Sequence, residues 1–169
     1  MVGYLGMGSN LGDRWAHLRY GVGALAEAGV EPRALSSVWE TEPVGCDDPL
    51  WFLNMAVKFE SPHEPLELLD LLQGIERSAG RVRREVNAPR ILDLDLLVLG
   101  EVVLCHPRLR LPHPRMWQRN FVLEPLFEIE PGLRNPATGR SVADERAALR
   151  SAAAAINVGP LAPARALTL

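Results

Sequence analysis

The chain has 169 residues, of which 47% are hydrophobic and 23% are charged, a composition typical of one globular domain with a sizeable core. Its formal net charge of −3 gives no overall attraction to nucleic acid or to an anionic membrane. The sequence has no apolar run of about 20 residues and no basic n-region at its start, and its two cysteines lack zinc-binding spacing. We therefore expect a cytoplasmic protein without a membrane span.

The first third of the chain predicts a strand, a helix and a second strand. Residues 2–9 form an apolar run that ends in the turn signals Gly8-Ser9-Asn10, as a buried strand would. A helix should follow, ending near Gly29, because apolar residues recur at helical spacing: Leu11, Trp15, Leu18, Val22 and Leu25. Residues 33–40 predict the second strand, and residues 41–48 a loop.

The middle third predicts a second unit of the same kind. Residues 51–60 alternate as a third strand, with Leu53, Met55, Val57 and Phe59 on one side. Residues 61–64 look like a capping box before a helix whose core stripe is Leu68, Leu71, Leu72 and Ile75. A basic loop at 80–88 leads into a fourth strand at 91–99. The order β-α-β-β-α-β predicts the ferredoxin-like α+β fold, an antiparallel sheet with two helices on one face.

The last third predicts additions to that plan. We expect a short extra strand at 102–105, a loop at 107–114, a helix at 120–128 and an alanine-rich helix at 141–156. Residues 1–158 are predicted to form a single domain, and residues 159–169 a poorly ordered tail.

Asp93 and Asp95 are the most informative pair in the chain. They alternate with leucines at strand period, so both carboxylates project from one face, roughly 7 Å apart along the backbone. Two uncompensated carboxylates would repel each other, and the segment just before them contains Arg81, Arg83, Arg84 and Arg90. Arginine forks match phosphate oxygens, and Mg²⁺ bridges phosphates to carboxylates. The mixture favours binding of a nucleoside triphosphate with Mg²⁺.

Two other segments suggest a flat acceptor and further phosphate contacts. Phe52 and Asn54 share the strand face opposite the leucine side, which would let a ring stack on Phe52 and hydrogen bond to Asn54. In the loop and helix that follow the fourth strand, His113 is a phosphate donor candidate, Arg119 a charge partner and Phe121 a second stacking residue. A glycine-rich phosphate loop of the Walker type is absent, so arginines and metal would hold the nucleotide.

These segments together resemble the 6-hydroxymethyl-7,8-dihydropterin pyrophosphokinase family, often called HPPK. The resemblance covers roughly residues 2–131, and its most specific segment is Pro-Arg-Ile-Leu-Asp-Leu-Asp at residues 89–95. Weaker segments in the same order are Gly-Ser-Asn-Leu-Gly at 8–12, Phe-Leu-Asn at 52–54, Gly-Arg-Val-Arg at 80–83, Pro-His at 112–113, and 119–121 running into 125–128.

The resemblance implies transfer of a pyrophosphoryl group from ATP to the hydroxymethyl oxygen of the pterin in folate biosynthesis, leaving AMP. It implies that Asp93 and Asp95 hold two Mg²⁺ ions. By the family pattern the ATP-binding residues are Gln73, Glu76, Arg81, Arg90, Arg108, His113 and Arg119, and Arg81 and Arg90 are counted with the two aspartates as catalytic. The pterin-binding residues are Thr41, Val44, Phe52, Asn54 and Phe121. The expected partners are these small molecules, with neither nucleic acid nor membrane, and we expect a monomer.

The chain also departs from the family pattern. The basic loop usually carries Arg-Trp-Gly where this chain has Val86-Asn87-Ala88, so we expect altered loop closure, substrate affinity and product release. Three alternatives stay open at this point: another two-metal phosphoryl or nucleotidyl transferase, a ferredoxin-like RNA-binding module, and a family member that has lost activity. The acidic strand and the pI near 5.8 argue against the RNA-binding module.

Overall fold

The computed structural model describes residues 1–43, 50–80, 90–136, 138–149 and 154–161. Within them the strands are β1 (Val2–Ser9), β2 (Glu31–Leu35), β3 (Ser37–Thr41), β4 (Phe52–Glu60), β5 (Asp93–Leu99), β6 (Leu104–His106), β7 (Leu109–Leu111) and β8 (Ala155–Pro160). The helices are α1 (Arg14–Glu27), α2 (Pro65–Ser78), α3 (Asn120–Ile129) and α4 (Val142–Ala148), with a short 3₁₀ helix at Met116–Gln118. None of the helices in these ranges is long and apolar enough to cross a membrane.

The main sheet has the strand order β5-β1-β4-β3-β8, and β2 also pairs with β4. Every pairing is antiparallel. The helix α1 connects β1 to β2, and α2 connects β4 to β5, so each helix crosses over one intervening strand. This arrangement confirms the predicted α+β fold with a ferredoxin-like sheet.

One face of the sheet packs against α1 and α2 in a dry core. The alternation of each strand sends every second side chain to this face, and the helices contribute their apolar stripes. The fully buried members include Leu5, Met7, Leu18, Leu25, Leu53, Met55, Val57, Phe59, Leu68, Leu72 and Leu99. The predicted leucine side of β4 and most of the predicted helix stripes lie here.

The opposite face is covered in part by α3 and α4. Val122, Leu123 and Leu126 of α3 form a second buried cluster with Tyr4 and Ala56 of the sheet. The sequence pattern predicted the helix α3, but it did not predict which face of the sheet this helix covers. Since α3 and α4 lie on the far side from α1 and α2, the sheet is sandwiched between two helical layers.

Ion pairs and hydrogen bonds fix the C-terminal end of α3 to this face. The Glu130 carboxylate accepts hydrogen bonds from the Lys58 ammonium (2.6 Å) and the Tyr4 hydroxyl (2.9 Å). The bond to Lys58 lowers the pKa of Glu130, and burial raises the pKa of Tyr4. Two residues earlier, Glu128 accepts hydrogen bonds from the Ser37 backbone N–H and hydroxyl. These contacts hold the helix that carries Phe121.

Two predicted boundaries in the first half were wrong. The strand predicted at 33–40 is two strands, because Ser36 breaks the ladder: its hydroxyl accepts a hydrogen bond from the Ala56 N–H at 2.8 Å. The predicted capping box at 61–64 does not open α2. Pro65 is the first helical residue, Glu64 is the N-cap, and the Glu64 N–H donates to the Glu67 carboxylate.

The C-terminal predictions needed larger corrections. The strand expected at 102–105 begins at Leu104 and forms a separate hairpin with β7, which lies in the predicted loop. The predicted helix at 141–156 ends at Ala148, and residues 155–160 form β8 instead, paired with β3. Gly159 and Pro160, predicted to start a poorly ordered tail, are therefore strand residues, while 162–169 lie outside the described residues.

Candidate active site

The predicted acidic and amide residues lie in one row across three strands. Gly8 of β1 is the register partner of Asp93 in β5 on one side and of Asn54 in β4 on the other. Two residues further along each strand, on the same face, Gly6 is the register partner of Asp95 and Ala56. With neighbouring strands about 4.8 Å apart, the backbones of Asp93 and Asn54 are separated by about 10 Å. The Asp93 carboxylate and the Asn54 amide therefore lie on the same face of the sheet, on either side of Gly8.

Gly8 leaves the space that this row needs. A Cβ atom at position 8 would lie 2.7 Å from Asn54 Oδ1, a distance that side chains do not tolerate. At Gly6 a Cβ would be 4.0 Å from the Cβ of Asp95, which shows that this residue shares the face with the carboxylates. The missing side chain at position 8 lets the Asn54 amide lie across β1.

Asp93 pairs with Arg90, and Asn10 fixes the backbone of that arginine. The Arg90 guanidinium donates to Asp93 Oδ2. The Arg90 N–H donates to Asn10 Oδ1 (2.6 Å), and the Asn10 N–H donates to the Arg90 carbonyl (3.0 Å). This double contact between the end of β1 and the start of the acidic segment places Arg90 beside the Asp93 carboxylate.

Asp95 faces Arg119, which enters from the start of α3. Their closest atoms, Asp95 Oδ2 and Arg119 Nη1, are 3.6 Å apart, and the Asp95 side chain keeps 36% of its surface exposed. The same guanidinium lies over the Phe121 ring, 5.3 Å from its centroid. Burial and the nearby charge of Arg115 lower the pKa of Arg119. The structure thus brings three predicted site residues together.

His113 lies beside β5 and is neutral at physiological pH. Its backbone N–H donates to the Leu97 carbonyl at 2.8 Å, which places the loop along β5. Burial and the charges of Arg119 and Arg115 lower the pKa of His113 to about 4. Its Nδ1 accepts the Arg115 backbone N–H at 3.2 Å, so the proton of the neutral ring is on Nε2. A neutral ring can donate a hydrogen bond from its Nε2–H to an anionic oxygen.

The predicted pterin residues Thr41 and Asn54 are hydrogen bonded to each other. Asn54 Nδ2 donates to Thr41 Oγ1 at 2.7 Å, and both side chains are buried. Phe52 is the register partner of Thr41 and, two residues from Asn54, lies on the same face of β4. Phe52 and Phe121 are both half-buried. A fixed amide with two partly exposed rings on one side of the sheet can recognise a flat polar ring.

A cleft of about 590 Å³ extends from Asp95 toward the β6–β7 hairpin. Its walls include Leu94, Asp95, Arg108 and His113. Arg108, predicted to bind nucleotide, makes an exposed ion pair with Asp70 of α2 across this region. The cleft is large enough for a nucleoside.

Two other residues predicted to bind nucleotide are on α2. Glu76 is buried, and its Oε1 accepts a hydrogen bond from the Leu94 N–H at 2.8 Å, so it supports the acidic strand directly. Gln73 is half-buried on the same helix. Val44, Arg81 and the segment Val86-Asn87-Ala88 lie outside the described residues.

The donor set at Asp93 and Asp95 fits Mg²⁺ held together with phosphates. Mg²⁺ is typically bound through one or two carboxylates, with substrate phosphates and water completing its shell. Both aspartates keep part of their surface exposed, and both face an arginine suited to phosphate. In the described part of the chain, no three or more His, Cys, Asp or Glu side chains are grouped so that they could hold a metal ion.

The model of the 7,8-dihydro-6-hydroxymethylpterin-pyrophosphokinase family, HPPK, matches residues 4–131. The chain belongs to this family. Among the HPPK proteins it resembles, that of Bacillus subtilis is 42% identical over 145 residues, covering 85% of this chain and 87% of the relative. The Pseudomonas aeruginosa protein is 41% identical over 135 residues, covering 79% and 83%. Both carry the name 2-amino-4-hydroxy-6-hydroxymethyldihydropteridine pyrophosphokinase. The predicted family and its enzyme class, a pyrophosphokinase of folate biosynthesis, are therefore confirmed.

Larger proteins contain a similar region. The folic acid synthesis protein fol1 of Pneumocystis carinii is 35% identical over 140 residues, which is 83% of this chain but 19% of that protein. The HPPK-DHPS of Plasmodium falciparum has a similar fold, with a TM-score of 0.68 at 12% identity, covering 87% of this chain and 43% of that one. This likeness concerns the fold alone.

Two residues that organise this candidate site were not predicted from the sequence. Gly8 and Asn10 were interpreted only as a turn signal and as part of the family segment. Their roles depend on strands that are far away in sequence: Gly8 is opposite Asn54 and Asp93, and Asn10 holds Arg90. The glycine at the end of a buried strand was the available signal, but its neighbours were not known.

Proposed function

We propose that this chain transfers the pyrophosphoryl group of ATP to 6-hydroxymethyl-7,8-dihydropterin. The hydroxymethyl oxygen attacks the β-phosphorus, the bond between that phosphorus and the α,β-bridging oxygen breaks, and AMP leaves. The hydroxyl proton goes to solvent. The products are AMP and the pterin diphosphate.

The observation that carries the proposal is the row formed by Asp93, Gly8 and Asn54. Its acidic side suits a metal-bound triphosphate, and its amide side suits the edge of a pterin. The separation of about 10 Å between the two backbones leaves room for the hydroxymethyl and phosphate groups between them. Proximity and orientation of this kind supply a large part of the rate in phosphoryl-type transfer.

The charged residues would act mainly by neutralising the triphosphate. Asp93 and Asp95 would hold two Mg²⁺ ions, and Arg90 and Arg119, which pair with these aspartates here, would turn to phosphate oxygens. Bound Mg²⁺ withdraws charge from the phosphates and lowers the pKa of the attacking hydroxyl. Neutral His113 would donate a hydrogen bond from its Nε2–H to an oxygen of the same triphosphate.

The acceptor would be held on the amide side. Asn54, fixed by Thr41, would read the polar edge of the pterin, and Phe52 and Phe121 would flank its faces. The cleft that reaches Arg108 and the hairpin would take the adenosine. Gln73 and Glu76, on α2, and Arg81 and Val44 complete the proposed binding set.

The experiment is incubation of the protein with ATP, Mg²⁺ and 6-hydroxymethyl-7,8-dihydropterin, with nucleotides separated by chromatography. We expect AMP to accumulate with no ADP, one equivalent for each pterin diphosphate formed. Reactions without the pterin or with EDTA are the controls. Appearance of ADP would indicate phosphoryl transfer instead, and intact ATP with the reduced pterin supplied would refute the proposal.

A further inference from the structure

Arg14, in the first turn of α1, joins both ends of the chain segment that precedes β4. Its Nη2 forms an ion pair with Glu40 Oε1 at 2.9 Å, and its Nη1 donates to the Trp51 carbonyl at 2.8 Å. Glu40 is in β3, just before the connecting segment, and Trp51 follows that segment. One guanidinium therefore links a helix to both strand ends.

These contacts come from the side of the sheet opposite the proposed substrate. Glu40 is the register partner of Leu53, and Leu53 belongs to the core beneath α1 and α2. Directly opposite residues share a face, so Glu40 is on the helix side. Arg14 thus does not lie on the face of Asn54 and the carboxylates.

The position of these contacts along the ladder matters for the site. Thr41 and Phe52 are the register pair at the end of the β3–β4 ladder. Thr41 follows Glu40 and Phe52 follows Trp51, the two residues that Arg14 contacts. The peptide between Trp51 and Phe52 is held through its carbonyl, and this peptide sets the direction of the Phe52 side chain. The hydrogen bond from Asn54 to Thr41 depends on the same pairing.

We propose that Arg14 is a positioning residue for the pterin, acting through the Glu40 and Trp51 contacts to hold Thr41 and Phe52 in register. The inference rests on the proposed function. Both side chains of the ion pair are about 30% exposed, at 29% and 31%, so solvent screens the pair only in part. Loss of Arg14 should loosen the end of the β3–β4 ladder without touching the carboxylates.

The chain offers a matched control at the opposite end of β4. Arg33 forms an ion pair with Glu60 at 2.7 Å, and the two belong to β2 and the last residue of β4. It too is an arginine–glutamate pair that ties a neighbouring segment to this strand, but it is far along the ladder from Phe52. If ion pairs act only on general stability, the two substitutions should have similar effects.

The test compares Arg14→Ala with Arg33→Ala in steady-state kinetics, varying pterin and ATP separately. We expect Arg14→Ala to raise the KM for pterin about tenfold, equivalent to loss of one charge-assisted hydrogen bond, and the KM for ATP by less than about twofold. Arg33→Ala should leave both constants near wild type. Arg14→Lys should recover part of the loss because it keeps the charge opposite Glu40.

An equal rise in both KM values, or none, would overturn the inference while leaving the proposed function intact. A wild-type protein that releases no AMP would instead overturn the proposed function and the pterin role with it. Hydrogen exchange of the peptide spanning residues 51–54 tests the positioning step without turnover. Exchange there should rise in Arg14→Ala and stay unchanged in Arg33→Ala; equal rates in both variants would contradict it. If Arg14→Ala does not fold, Arg14→Gln replaces it.

Discussion

The two faces of the main sheet differ in role, although neighbouring residues of the same strand supply both: one face is packed in the core and the other carries the candidate site. On the helix side, Leu5 and Met7 are buried in a continuous apolar core. On the other side, Gly6 and Gly8, their neighbours in β1, form the floor between carboxylates and amide. Because strand residues alternate in direction, one strand supplies stability and chemistry from separate sets of residues. Substitutions on the two faces should therefore change different measured quantities.

The largest effect is expected from Asp95→Asn. Removing this carboxylate takes away a proposed metal ligand, and turnover should fall on the order of 100-fold or more. The fold should persist, because the residue is partly exposed and its loss relieves repulsion with Asp93 without opening a core cavity. AMP release and thermal unfolding measure the two quantities. Normal turnover in a folded variant would remove the metal role of this face.

Leu5→Ala should have the opposite profile. Leu5 is fully buried on the helix side, and truncation to alanine in such a site costs about 2–5 kcal/mol in the free energy of unfolding. Activity per folded molecule should stay close to wild type. Urea unfolding gives the first value and AMP release at low temperature the second. Val103→Ala is the control, since that side chain is 74% exposed and should change stability by less than about 0.5 kcal/mol.

Gly8→Ala tests the floor between the two halves of the site. The new Cβ would lie 2.7 Å from Asn54 Oδ1, so the amide must move. We expect the KM for pterin to rise about tenfold, as when one hydrogen bond is lost, with a smaller change for ATP. Gly23→Ala in α1 is the matched control, because a Cβ there meets no atom within 4 Å. Unchanged pterin kinetics in Gly8→Ala would show that Asn54 does not need this position.

A modest effect is expected from His113, which should make the stability depend on pH. The pKa of its ring is about 4 in the folded chain and 6.5 in the unfolded chain, so only the unfolded chain binds the proton between these values. The free energy of unfolding is therefore highest above pH 6.5 and falls as the pH drops to 4. Partial solvent exposure reduces the contribution to about 1–2 kcal/mol.

The measurement is denaturant unfolding of wild type and His113→Asn at several pH values between 4 and 7.5. The wild type should lose more stability than the variant across this window, and the two curves should run parallel above pH 6.5. Identical pH dependence in both proteins would contradict a neutral, partly buried ring at this position.

Local patterns predicted the pieces of the site and much of the fold. The Asp–Leu alternation at 93–96 indicated which side chains share a face, and the third strand indicated that Phe52 and Asn54 do. The order of strands and helices predicted the ferredoxin-like sheet. Family resemblance added the substrates. Monomeric state and cytoplasmic location stay predictions from the sequence.

Other features could not be predicted because they depend on contacts between distant segments. The predicted C-terminal helix reads as a helix up to Ala148, but residues 155–160 pair with β3, and that pairing outweighs local helix preference. Glutamate in a helix is usually exposed. Glu76 is buried instead, and its carboxylate accepts the hydrogen bond of the buried Leu94 N–H.

The sequence by itself determined the direction of each side chain along its own strand, since the period of two is a local property of the backbone. It therefore determined that Asp93 and Asp95 point the same way. Only the tertiary structure decided that Gly8 lies between Asp93 and Asn54, and that Asn10 holds Arg90. Register between strands is set by packing of residues far apart in the chain, and that packing turns three separate patterns into one site.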